Sequence, residues 1–462
     1  ALARALGAGA GGRHLDMTTT SPSGVLEGAQ RAPAFTVRFR PILAIVLIAA
    51  VGFLLRMGAA ILAPPHPSAE LADTLWYHET AVLLAAGRGY VNPMTGYSTA
   101  SWPPGYPLIL AAAYRLLGAD PLTGVLVNAL AGTFTCLCCY GLTRLTRGSH
   151  RSGLIAEALI ALLPSHIFFA PLLLSESVFT AVACGTLLAA GMLLPESDRR
   201  RRLWWWVPWG VAVGVAALVR VEGVLLLPIA VAAALTLYGF RRAVRVLAVA
   251  SLGLACVLGP WAYRNAGVFH AFVPLSNGFG RSFWVGHNEA ATGAMTQSLQ
   301  DLAIATLEPQ FHGGLTPEGE LQRNRYYTAR VLEYARRNPG REAVLFLRKL
   351  YYLFRGDHVW LYHYEYRARP GGLTEATRRI LGRVGNAYYL LVLLPGLAGW
   401  LIFVRAPSAP ERVLALFPVF WCLMFAIMHG DPRFHFPLMP VFCVMATRAV
   451  WPTRSEPVRE QP

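Results

Sequence analysis

"PILAIVLIAAVGFLLRMGAAILA", residues 41–63, is followed almost at once by "SAELADTLWYHETAVLLAAGRGY", residues 68–90. An α-helix rises about 1.5 Å per residue, so the first run is long enough to cross a bilayer core of about 30 Å. The second holds three carboxylates, Glu70, Asp73 and Glu79, with Arg88 as the nearest cation. Only 14% of the chain is charged, and Asp and Glu number 25 against 41 Lys and Arg. Three acids beside a membrane-length segment therefore stand out against a background that avoids them.

Working outward, the same kind of apolar run recurs. Hydrophobic residues make up 55% of the sequence and mean hydropathy is +0.43, which excludes an ordinary soluble domain. Runs of this length indicate a polytopic, all-α membrane protein, whereas a membrane β-barrel would show short alternating segments. The formal charge of +16 is almost all arginine, and Lys349 is the only lysine. These arginines cluster in short loops between apolar runs, the positive-inside pattern that suits an anionic inner leaflet. No nucleic-acid partner is expected from that arrangement. All seven cysteines lie inside apolar runs, and "CLCC" at 136–139 lacks metal-ligand spacing, so no disulfide framework is implied.

Candidate spans are 41–63, 122–143, 153–171, 174–194, 204–220, 223–240, 243–262, 384–404, 411–429 and 434–451. Ten spans put the arginine clusters at 144–151, 198–202, 241–245 and 405–412 on one side, with both termini, and that side is cytoplasmic. "PPGYPLILAAAYRLLG", 103–118, is short, opens on two prolines and carries Arg115, so it is read as an interfacial helix. Two large outer loops result, 64–121 and 263–383, the second containing the amphipathic "REAVLFLRKLYYLF" at 341–354. Residues 1–40 form an expected disordered cytoplasmic tail, with Met17 an alternative start; 41–451 is the membrane module and 452–462 a second tail. The run 41–63 exceeds a signal-peptide core and is read as a retained anchor.

In the opening stretch Asp73, Tyr77 and Thr80 share one helix face. From there the sequence resembles a known family. "DTLWYHETAVLLAAGRGY" (73–90) and "SWPPGYPLILAAAYRLLG" (101–118) resemble the bacterial C-type (GT-C) glycosyltransferases of the protein-mannosyltransferase and aminoarabinose-transferase-like group. "LLPSHIFFAPLLLSES" (162–177), "GVAALVRVEGVLLLP" (214–228), "GPWAYRNAGVF" (259–269), "GFGRSFWVGHNEAATG" (278–293) and "DPRFHFPLMP" (431–440) continue the likeness. The resemblance implies a multi-pass enzyme of the bacterial plasma membrane. Such an enzyme moves a sugar from a polyprenyl-phosphate donor to a protein, lipid or glycan acceptor on the extracytoplasmic face. It assigns the acceptor-side carboxylate to Asp73. Relatives often carry two adjacent acids there, and some place an acid before the double proline. Here those places hold Asp73-Thr74 and Ser101-Trp102, so no metal-ligand set carries over, and a divalent metal stays open.

The chemistry agrees. Glycosyl transfer needs a base for the acceptor hydroxyl, a contribution of about 10²–10⁴-fold, and cations on the departing phosphate. Arg220, Arg264 and Arg433 lie at the outer ends of spans in this topology. Each is a candidate for the phosphate, or a structural arginine; Arg220 has Glu222 beside it. Glu176 opens a span on the outer side, either as a favourable charge on the helix dipole or as an auxiliary group facing the Asp73 cavity. Tyr77, His287 and Asn288 complete the acceptor or auxiliary set, the last two following a glycine-rich turn. A carrier or flippase of lipid-linked substrate is the alternative; it would need charges along a midplane path. Within the spans only Arg56 and Glu157 offer them, each near enough to an end to snorkel or to face a neighbour.

The topology is tested by cysteine labelling in a Cys-free background. A single Cys at position 96 is expected to react with an impermeant reagent in intact cells, and one in the 195–203 loop only after permeabilisation.

Overall fold

Some of the apolar runs become single long helices and others break. The computed structural model describes residues 39–62, 64–67, 72–195, 203–296, 310–311, 316–362, 374–406 and 408–451. Both tails, Glu70 and the arginine loop 198–202 lie outside these residues. Among them are seven helices long and apolar enough to cross a membrane. They are α1 (Phe39–Leu62), α4 (Pro121–Leu145), α7 (Glu176–Leu193), α9 (Leu226–Tyr238, entered through a 3₁₀ turn), α10 (Phe240–Phe269), α14 (Glu375–Arg405) and α15 (Ala409–Ile427). The chain is thus an all-α, multi-pass membrane protein.

Three of the ten expected spans do not form one long helix. The run 204–220 gives α8 (Trp206–Val219), 153–171 gives α5 (His150–Ala161) and the short α6 (Pro164–Phe168), and 434–451 gives a 3₁₀ segment (Pro432–Leu438) and α16 (Met439–Val450). Hydropathy predicts continuity there; Pro164, Pro432, Pro437 and Pro440 remove the N–H groups that continuity needs. The interfacial reading of 103–118 fits α3 (Gly105–Leu117), whose 13 residues rise only about 20 Å.

Broken backbone inside an apolar body must find hydrogen-bond partners. Arg56 supplies some. It does not reach for the surface but lies 1% exposed, donating to Gly52 O at 2.8 Å and to Ile160 O, at the end of α5, at 3.4 Å. Gly132 makes the space: a Cβ there would stand 2.3 Å from Arg56 Nε. Asn128 supplies the rest. Its amide donates to Ala170 O at 3.2 Å and Leu172 O at 2.7 Å, while Tyr106 donates to its Oδ1 at 3.2 Å. These bonds fix the irregular stretch 169–175 and so deliver Glu176 to the start of α7.

The second break is held in the same way. Trp421 Nε1 donates to Phe434 O at 2.7 Å, and His166 lies stacked on Phe436 with its Nε2 3.1 Å from Phe436 O. His435 bridges Leu353 O at 2.8 Å and Asp357 Oδ1 at 3.2 Å. Elsewhere α8 and α10 meet at close range, where a Cβ on Gly210 would fall 1.9 Å from Ala250 O. That approach is the small-residue packing of membrane helices.

The loop helices are α2 (Ala72–Ala85), α11 (Phe279–Val285), α12 (Pro317–Arg337) and α13 (Pro339–Phe354), with α3 packed on α2. α13 is amphipathic as expected, burying Leu345, Lys349 and Leu353 while Val344, Leu347 and Tyr351 stay exposed.

Gly132→Ala is expected to displace Arg56 and lower stability by about 1–3 kcal/mol, read as the shift in unfolding midpoint in detergent micelles. The same change at Gly58, where nothing lies within 4 Å of the added Cβ, serves as the neutral control.

Candidate active site

Asp73 stands in the first turn of α2, where a carboxylate meets the positive end of the helix dipole. Thr74, Tyr77, Thr80 and Ala81 are buried and Glu79 is exposed, so the predicted Asp73–Tyr77–Thr80 face turns toward the protein body. Asp73 itself keeps 31% of its side chain exposed.

Opposite it lies Arg433. Its backbone N–H is capped by Asp431 Oδ1 at 2.7 Å, and its Nη1 sits 3.2 Å from Asp73 Oδ2. The Nε of the same guanidinium donates to Glu176 Oε1. That oxygen also receives Arg220 Nη1 at 3.1 Å, and Arg220 Nη2 pairs with Glu222 Oε1 at 3.2 Å. Ser175 Oγ accepts from Arg220 at 3.2 Å, and the guanidinium stands 5.9 Å from the Phe434 ring centre. A continuous chain therefore runs Asp73–Arg433–Glu176–Arg220–Glu222. Glu176 is 2% exposed and its Oε2 has no partner among the described residues.

Burial would weaken the charge on both arginines, but the adjacent carboxylates outweigh it. Glu176 and Asp73 raise Arg433 above its ordinary range, and Glu222 and Glu176 do the same for Arg220. Burial, and then the charge on Asp73, push the Tyr77 phenol up. Tyr77 therefore stays a neutral hydroxyl at physiological pH. Burial also pushes the Asp431 carboxyl up.

Of the residues singled out in the sequence, Asp73, Tyr77, Glu176, Arg220 and Arg433 converge here. Arg264 is used elsewhere: it donates to Thr99 O at 2.7 Å, Tyr90 O at 2.8 Å and Asn265 Oδ1 at 2.9 Å, with its charge over Trp261. His287 lies in a second cluster with Glu342, Lys349 and Ile427 O. Asn288 folds back on Trp284 O and Ala290 N. Sequence reasoning passed over Glu320 of α12, which is buried and accepts from Thr99 Oγ1, from Ser101 Oγ at 2.8 Å and from Ala100 N at 3.1 Å. Its only signal was an acid in the first turn of an otherwise basic helix.

No group of three or more His, Cys, Asp or Glu placed to hold a metal ion occurs among the described residues. Asp73 and Glu176, the two acids nearest to such a role, each already give an oxygen to Arg433. This donor set does not fit a resident metal, and no chemistry is assigned to one.

Residues 101–263 match the family model of dolichyl-phosphate-mannose-protein mannosyltransferase, a stretch that includes Glu176 and Arg220. No curated protein sequence matches the chain. Among solved structures, the archaeal oligosaccharyltransferase AglB of Archaeoglobus fulgidus, in complex with an inhibitory peptide and a dolichol-phosphate, superposes with a TM-score of 0.55 at 16% identity. The likeness covers 90% of this chain and 50% of that one. A second structure of the Archaeoglobus fulgidus enzyme, tethered to an acceptor peptide, gives 0.53 at 16% identity, over 90% of this chain and 49% of that one. This chain thus spans about half the length of those it resembles. At that identity the likeness is one of fold. Together with the family match it supports the GT-C glycosyltransferase reading.

Glu176→Ala would take from both guanidiniums the buried carboxylate they share. It is expected to lower the unfolding free energy by about 3–5 kcal/mol, against less than about 0.5 kcal/mol for Glu79→Ala on the exposed face of α2. Denaturant titration in micelles compares the two.

Proposed function

We propose that this protein is a membrane glycosyltransferase that moves a sugar from a polyprenyl-phosphate donor to an acceptor hydroxyl at the extracytoplasmic surface. The observation that carries the reading is the half-exposed carboxylate of Asp73 on the same guanidinium that holds buried Glu176. The family match and the lipid-phosphate complex of the archaeal oligosaccharyltransferase support it.

In this mechanism Asp73 is the general base. Among the described residues its Oδ1 receives no hydrogen bond, and the side chain is open enough to meet an acceptor hydroxyl. The hydroxyl oxygen attacks the anomeric carbon, its proton passes to Asp73, and the bond from that carbon to the phosphate oxygen breaks. One displacement inverts the anomeric carbon. Arg433 and Arg220 stabilise the phosphate that leaves.

The ion-pair chain ties these events together. Before reaction, Arg433 Nη1 is occupied by Asp73. Once Asp73 takes the proton its negative charge is gone, and Arg433 Nη1 is free to turn to the phosphate, whose own charge is growing at that moment. Base and phosphate ligand thus exchange partners in one step. Glu176 stays paired throughout, holding both arginines at one oxygen. Tyr77, a buried neutral phenol one helical turn from Asp73, packs beneath the base.

Asp73→Asn keeps the shape and the bond to Arg433 but cannot take the proton. Turnover with a polyprenyl-phosphate sugar is expected to fall by about 10²-fold or more, while polyprenyl phosphate binds more tightly because the charge of Asp73 no longer opposes it. Arg433→Ala is expected to weaken that binding by about 1.5–3 kcal/mol. Near-normal transfer by Asp73→Asn, or loss of transfer in Glu79→Gln instead, would move the base off this residue. The configuration of the product, read by NMR, decides inversion.

A further inference from the structure

Lys349 is the only lysine in a chain with 41 Lys and Arg together, and it is 1% exposed. Its Nζ lies 2.9 Å from His287 Nε2 and 3.3 Å from Ile427 O. His287 Nε2 is 2.5 Å from the same carbonyl, and its Nδ1 is 2.7 Å from Glu342 Oε2. Ile427 ends α15, so the ammonium sits at the negative end of that helix, where a cation is favoured. The space is cut to fit. A Cβ on Gly286 would stand 3.3 Å from Lys349 Cε, and one on Gly430 would stand 2.2 Å from Lys349 O. A guanidinium is longer and forked, so arginine here would need these neighbours to move apart.

The chain leaving this cluster leads straight to Arg433. Gly430 N donates to Gly293 O at 2.8 Å, and Met295 N donates to Gly430 O at 2.9 Å. His429 Nδ1 lies 3.1 Å from Ser282 O, and Asp431 Oδ1 then caps Arg433 N at 2.7 Å. Every residue from Ile427 to Asp431 except Met428 is thus fastened to α13 or to the 282–295 segment, or caps Arg433 itself.

We propose that Lys349, His287 and Glu342 form a clamp on the end of α15 that positions Arg433, making Lys349 and His287 positioning residues for the site. The link to catalysis rests on the reading of Arg433 as a phosphate ligand. The ionisable groups facing Lys349 are His287 from the turn after α11, Glu342 from α13 itself and His429 from the segment after α15. Lys349 and His287 share one positive charge, balanced by Glu342. Burial pushes Lys349 down to about 8, with Glu342 opposing, and burial followed by the Lys349 charge holds His287 below its ordinary value. Because burial holds Lys349 below its ordinary value, opening the clamp takes up a proton, and the closed form gains on the open one as pH rises through about 8.

Hydrogen exchange of the 428–434 amides in the full-length protein in micelles, normalised for intrinsic rate, reads the clamp without any ligand. Wild-type protection should rise as pH passes through about 8. Lys349→Met, which loses the bonds to His287 and Ile427 O, should show protection down about tenfold or more with no pH step from 7 to 9.5, and Lys349→Arg should not restore it. His287→Asn, which keeps the ammonium and removes its imidazole partner, gives a second readout should the lysine variant fail to fold. Wild-type-like protection in both variants, or a pH step that persists in Lys349→Met, would overturn the clamp. Binding of polyprenyl phosphate is measured in parallel; its second ionisation, near 6, is complete in this range. Affinity in wild type should rise with the amides, and that rise should vanish in Lys349→Met. Unaltered affinity in Arg433→Ala would remove Arg433 from the donor site and leave the amide result to judge the clamp alone.

Discussion

One guanidinium organises the candidate site of this protein. Arg433 reaches Asp73, 360 residues away in sequence, with one nitrogen, and Glu176, 257 residues away, with another. Three parts of the chain must meet for this to happen: the start of α2, the start of α7 and the segment before α16. Burying two arginines among carboxylates is favourable only if each charge is paired on arrival. The pairing therefore acts as a test of assembly, since any element out of place leaves a charge stranded.

What lets these three parts meet is broken helix. A continuous helix over 153–171 would carry its end past the point where Glu176 now begins α7. A continuous helix through 434–451 would turn Arg433, Phe434, His435 and Phe436 onto a helical wheel. In the 3₁₀ segment, four consecutive side chains instead reach five separate partners: Asp73 and Glu176, the Arg220 guanidinium, Asp357, and His166. Unpaired backbone at such breaks is costly in an apolar surround. Arg56, Asn128, Trp421, His166 and His435 offset that cost with side-chain hydrogen bonds. Arg56 thus has a structural use, which weakens any reading of it as a stepping stone for a transported charge.

Much of this was legible in the sequence, for identifiable reasons. Membrane-length runs depend on local composition, so seven long helices were visible as hydropathy. The inward face of α2 followed from helical spacing, because Asp73, Tyr77 and Thr80 are close in sequence. The Arg220–Glu222 pair was visible for the same reason. The breaks were not, since hydropathy averages over proline and cannot see that Arg56 or Asn128 will satisfy the carbonyls set free. Nor could spacing show that Arg264 would spend its fork on Thr99 and Tyr90 carbonyls, or that Glu320 would grip residues 99–101 from a loop more than 200 positions away. Those contacts exist only once the fold has formed.

The acid-rich balance of the cluster bears on why the base and the phosphate ligands touch at all. Asp73, Glu176 and Glu222 face two guanidiniums, with Asp431 behind them. An anionic lipid phosphate arriving at such a site meets as much repulsion as attraction while Asp73 is ionised. Separating the base from the arginines would remove the repulsion, but it would leave the arginines free to bind substrate and leaving group equally well. Binding both equally does not speed the chemical step. In the proposed mechanism, Asp73 on Arg433 keeps the site a weak phosphate binder at rest, and it becomes a strong one only when the acceptor's proton has moved. The attraction then appears in the transition state, where it lowers the barrier, rather than in the ground state, where it would not.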